Sequence, residues 1–110
     1  MKREDFMFTV GFDGQTALVD GDSRRRYARL TVDELVERGL FRPAVCAAVY
    51  DGDDQALERI REAFVRASGD EVSQASDLLR IFGIPTQVLA PPEDGDGKDG
   101  KKTGYKTEVI

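Results

Sequence analysis

"FMFTVGFDGQTALV", residues 6–19, decides the fold class, because it sets two strand-like apolar runs on either side of Asp13-Gly14. That dipeptide suits a tight hairpin turn, in which both central residues take positive φ. A two-residue Asp13-Gly14 loop pairs Phe12 with Gln15, Val10 with Ala17 and Phe8 with Val19. These pairs share one almost wholly apolar face, and Met7, Thr9, Leu18 and Asp20 fall on the other. The hairpin predicts strand content in a chain whose remaining periodicity is helical, so the expected class is α+β.

Downstream, Thr31-Val32-Asp33-Glu34 has the spacing of a capping box. The Thr31 hydroxyl accepts from the backbone N–H at position 34, and the Glu34 carboxylate reaches back to the cap. A helix is predicted from there to about Arg38, with Gly39 as its stop. Phe41 to Tyr50 reads as a second helix entered at Pro43. Its apolar residues run all round, the pattern of a central buried helix. Asp53 is the expected N-cap of a third helix over 53–68, where Ala56, Leu57, Ile60, Ala63, Phe64 and Ala67 keep helical spacing. Val72, Ala75, Leu78, Leu79 and Phe82 give a fourth stripe ending at Gly83. "IPTQVLA", residues 84–90, reads as a last strand completing a small sheet at an edge of the hairpin.

The expected domain is therefore residues 6–90. Residues 1–5 read as a frayed charged lead. After Pro91-Pro92 the chain turns to glycine and charge, and 91–110 reads as a disordered tail. The "GDSRRRYARL" stretch, 21–30, reads as a loop or short extended segment.

The 110 residues include 16 lysines and arginines against 21 aspartates and glutamates, a net charge of −5. Such a balance disfavours broad, charge-driven nucleic-acid binding, which draws on a net basic surface. Histidine is absent and Cys46 is the single cysteine. Without them there is no Ser–His or Cys–His couple and no structural zinc site. Cys46 lies in the apolar run 44–49 and reads as a buried small hydrophobe. No window approaches the roughly 18 uninterrupted apolar residues of a spanning helix, so the expectation is a cytoplasmic protein with no membrane contact.

Three acidic turns invite a calcium reading and fail it. An EF-hand loop needs an oxygen ligand at its fifth position and glycine at its sixth. Starting at Asp51 places Gln55 and Ala56 there; starting at Asp20 or Asp94 places Arg24 or Lys98 at the fifth. Helix caps and turns account for these aspartates. Neither GxGxxG nor GxxxxGK[ST] occurs, and no motif orients a base toward Ser23 or pairs Asp51 with Asp54 as acid and base. The expectation is no enzyme, no cofactor and no metal.

Two stretches remain as contact candidates. Arg24, Arg25, Arg26 and Arg29 with Tyr27 combine cations with a ring, as an anion or partner contact requires; nearby Asp20, Asp22, Asp33, Glu34 and Glu37 offer the arginines partners within the chain. Glu108, Val109 and Ile110 form an apolar ending of the kind that terminal-capture grooves accept. The favoured function is a small non-catalytic protein-interaction or regulatory module. The alternatives are a nucleic-acid-binding accessory domain using Arg24 to Arg29, and a small-molecule or enzymatic domain.

Overall fold

The computed structural model describes residues 1–86 and 106–110. The protein is α+β. Among the described residues the order is α1 (Arg3–Met7), β1 (Thr9–Asp13), β2 (Thr16–Val19), α2 (Gly21–Tyr27), α3 (Val32–Glu37), α4 (Phe41–Asp51), α5 (Asp54–Ser68), α6 (Asp77–Ile81) and β3 (Lys106–Val109). The sheet runs β1-β2-β3, antiparallel across the hairpin and parallel between β2 and β3.

The hairpin forms, in a different register from the one predicted. Asp13 pairs with Thr16, Phe12 with Ala17 and Gly11 with Leu18, so the loop is Gly14-Gln15. Gly14 has φ 62 and, among the described residues, no non-glycine residue has positive φ. Positive φ at the first central residue alone is the II′ pattern; it places the strain on glycine and spares Asp13 a left-handed conformation. The register then slips between Thr9 and Gly11, so that Thr9 faces Val19 and Val10 is extruded as a bulge. Val10 is consequently 59% exposed, against the inward position expected for it. Phe8 is buried as expected, but as the residue capping α1 rather than as a strand position opposite Val19.

Among the described residues six helices form where four are expected, and both additional ones come from charged stretches. Residues 3–5 are helical rather than frayed, because Phe6 and Met7 are anchored in the core and Asp5 is buried with them. The 21–30 stretch is not extended: Asp20 caps α2, its carboxylate accepting from the Ser23 N–H at 3.2 Å and the Ser23 hydroxyl at 2.8 Å.

Helices α3, α4 and α5 match their sequence signals. Both halves of the Thr31/Glu34 capping box are made, at 3.1 and 2.9 Å, and Gly39 follows α3. Helix α4 is the central buried helix, with Ala44 to Ala48 removed from solvent and α1, α3 and α5 packed around it. Asp53 caps α5 through the Ala56 N–H at 3.0 Å. The stripe after Gly69 shortens to α6. The Val72 carbonyl, buried beside α5, accepts from the Arg61 guanidinium at 2.8 Å instead of from a following helical turn.

The core is one cluster in which Phe6, Met7, Val19, Leu35, Val45, Ile60 and Leu78 are fully enclosed. Each large aliphatic side chain buried there contributes on the order of 1.5–3 kcal/mol. Phe41, Phe64 and Phe82 extend it through two edge-to-face contacts, each with centroids 5.4 Å apart, which tie α6 to α4 and α5.

Residues 84–86 are not strand, and the rest of the expected 84–90 strand lies outside the described residues. The sheet is completed instead by Lys106–Val109, residues expected in the tail. The remainder of that tail, 91–105, lies outside the described residues.

Candidate anion groove and ring cavity

Helix α2 presents two different flanks. Along one, Arg24, Arg25, Ala28 and Arg29 face Lys2 and Glu4 of the α1 segment across an open groove of about 370 Å³. Four cations and one carboxylate line the groove; Asp5 neutralises Arg24 and Asp22 is shared by Arg25 and Arg26, so the positive excess rests on Lys2, Arg29 and the shared pair.

The arginines divide by role. The Arg24 guanidinium pairs with Asp5, whose side chain is 9% exposed, so Arg24 neutralises a carboxylate that would otherwise be buried unpaired. Arg25 and Arg26 both reach Asp22, at 2.8 and 3.3 Å, with all three side chains more than half exposed. Such exposed pairs contribute about 0–1 kcal/mol, so Arg25 and Arg26 can exchange Asp22 for an external anion at little cost. For Arg29 and Lys2 no side-chain ion pair forms among the described residues. The structure thus converts the run of arginines into one structural residue, Arg24, and exchangeable cations.

Tyr27 is turned to the other flank. It is half-buried and packs on the core with Leu30. With Met7, Phe8, Leu40 and Pro43 it lines a mostly apolar recess of about 170 Å³, open to solvent on one side, at whose polar side stand Asp20 and Arg42. The hydrogen bond from the Ser23 hydroxyl, reinforced by the Ser23 N–H, holds the Asp20 carboxyl below its ordinary pKa, so it is an anionic acceptor at neutral pH. Arg42 donates to the Thr9 carbonyl at 2.7 Å and the Phe82 carbonyl at 3.1 Å. It thereby ties the bulged end of β1 to the end of α6. This cavity was not legible as a site in the sequence, although the Asp20/Ser23 cap and the helical Asp22–Arg25–Arg26 spacing were available to reveal α2.

Glu108 and Val109 pair with Leu18 and Val19, and the Ile110 N–H donates to the Val19 carbonyl at 2.8 Å. The three residues expected as a free recognition ending are laid along β2. Cys46 is fully buried on α4, and burial pushes its thiol pKa up to about 11. No group of three or more metal-ligating side chains occurs among the described residues, and no helix there is long and apolar enough to cross a membrane.

No family model matches the chain, and no solved structure matches it. Among curated proteins it is similar to flap endonuclease 1 of Trypanosoma brucei gambiense, 41% identical over 46 residues, which is 42% of this chain and 12% of that protein. It is also similar to flap endonuclease 1 of Leishmania infantum, 33% identical over 63 residues, 52% of this chain and 15% of that protein. The chain thus spans 12–15% of the length of the curated relatives it matches.

Proposed function

We propose that this domain is a nucleic-acid contact module in which Lys2, Arg25 and Arg29 engage successive phosphates across the α1–α2 groove. The observation that carries this reading is the groove itself, a local basic surface with exchangeable cations on an acidic protein. The partial similarity to a protein named as a flap endonuclease supports it by association. Local charge, rather than the net −5, sets the potential a phosphate meets within a Debye length of about 8 Å. No catalytic step is part of the proposal.

Titration with a single-stranded oligonucleotide at several salt concentrations tests it. Three neutralised phosphates predict that log K falls against log salt with a slope of about −2. Replacing Lys2, Arg25 and Arg29 together by glutamate is expected to abolish binding while the fold persists. Absence of binding at low salt, or binding indifferent to salt, would refute the reading.

A second reading, contact with another protein, has its own observation. Among the described residues β3 is an edge strand, exposed along its length, with Val109 and Ile110 at its end 47% and 63% exposed. A strand added there would gain main-chain hydrogen bonds. A chain ending before Lys106 that still captures the same proteins from a lysate would exclude β3 as the contact.

A further inference from the structure

The cavity on the Tyr27 flank of α2 is separate from the groove and has its own donor and acceptor. We infer that it receives a single unpaired base, specifically cytosine, from a strand whose phosphates lie on the α2 cations. This rests on the nucleic-acid reading above and adds a base-recognition site to it.

Size sets the first limit. A cavity of about 150 Å³ accommodates a benzene ring, so the recess of about 170 Å³, open on one side, has room within its walls for one ring rather than for a purine's two. Lining sets the second. Met7, Phe8, Leu40 and Pro43 provide apolar contact for ring faces, and Tyr27 provides the aromatic surface on which a base stacks.

Polarity sets the third limit and selects among pyrimidines. Asp20 is ionised and accepts two bonds from Ser23, leaving capacity on its two oxygens for an N–H donor. Arg42 lines the same cavity, and two of its five N–H donors are placed on the Thr9 and Phe82 carbonyls. Cytosine offers a complementary edge: its exocyclic amino group donates, as to a carboxylate in base readout, and its ring nitrogen and carbonyl oxygen accept. Uracil and thymine place carbonyl oxygens on both sides of their only Watson–Crick N–H, which sets one of them against the Asp20 carboxylate.

The common helix makes the two sites compatible. Ser23 and Tyr27 lie one helical turn apart on the cavity flank, while Arg25 and Arg29 lie one turn apart on the groove flank. A strand crossing α2 can therefore place phosphates on one side and a base on the other. Val10, extruded by the bulge and largely exposed, forms part of the cavity wall.

The test compares oligo-dC with oligo-dT by amide-resolved NMR titration, alongside free cytidine, on the full chain. Oligo-dC is expected to bind about tenfold tighter than oligo-dT, consistent with one good base contact, and to shift the Asp20, Ser23 and Tyr27 amides. Asp20→Asn keeps an N-cap acceptor and, by removing the carboxylate that opposes a thymine carbonyl, is expected to erase the dC preference. Val10→Trp, at an exposed position beside the cavity, is expected to have the same effect without loss of the fold. Cytidine alone is expected to shift only the cavity amides. Equal dC and dT affinity, with shifts confined to Lys2, Arg25 and Arg29, would overturn the cavity assignment and leave the groove reading standing. If neither oligonucleotide binds, the groove reading fails too, and cytidine shifts at the cavity would then stand as small-ligand binding without a strand.

Discussion

The Gly21 N–H donates to the carbonyl oxygen of Ile110 at 3.1 Å, joining the first turn of α2 to the end of β3. The approach is close enough that a Cβ at position 21 would lie 2.5 Å from Val109 Cγ1 and 3.1 Å from the Ile110 oxygen. Position 21 needs a residue without a side chain because another strand lies against it, and this contact holds β3 in place.

Gly21→Ala is therefore expected to dislodge β3. Overpacking of this kind costs roughly 1–3 kcal/mol. Amide hydrogen exchange at 106–110 should accelerate well beyond that of α4 and α5; unchanged protection would mean that β3 does not depend on this contact.

The arginines of α2 should separate by stability as well as by binding. Arg24→Ala strands the buried Asp5 carboxylate and is expected to destabilise by roughly 1–3 kcal/mol, whereas Arg25→Ala and Arg29→Ala should stay within about 0.5 kcal/mol of the parent. Urea denaturation of the three variants measures this directly.

Ile60 and Leu35 are fully buried on α5 and α3. Truncating either to alanine is expected to cost roughly 2–5 kcal/mol, a large part of the 5–15 kcal/mol typical of a domain, seen as a lower urea midpoint at unchanged slope.

The Thr31 backbone N–H, and then its hydroxyl bond, hold the Glu34 carboxyl below its ordinary value of 4.5. A depressed folded-state pKa gives stability that is present above 4.5 and is lost as pH falls through the folded value. Acid titration of stability should therefore show a contribution near and below pH 4.5 that Glu34→Gln lacks. Thr31→Ala, which removes the cap itself, should cost about 1 kcal/mol at neutral pH.

With its pKa near 11 and its side chain enclosed, Cys46 should resist thiol reagents in the native protein and react fully in denaturant. Fast labelling under native conditions would show that α4 opens locally.

Helices α3, α4 and α5 were determined by local sequence: a Thr31/Glu34 capping box, an all-apolar run from Ala44 to Val49, and a 3.6-residue stripe behind Asp53. Each signal lies within one or two helical turns, so it is readable locally even though packing against the other helices supplies most of the stability. The hairpin was legible as an element but not in register, because shifting the loop to Gly14-Gln15 and extruding Val10 changes which residues face Val19, and the choice between registers depends on which side chains the completed core buries. Tertiary structure alone decided the rest. The parallel pairing of Lys106–Val109 with β2, the burial of Asp5 against Arg24, and the cavity between Tyr27 and Arg42 each join residues 15 to 90 positions apart. No local propensity encodes such contacts, since their free energy exists only once the chain has closed the loops between them.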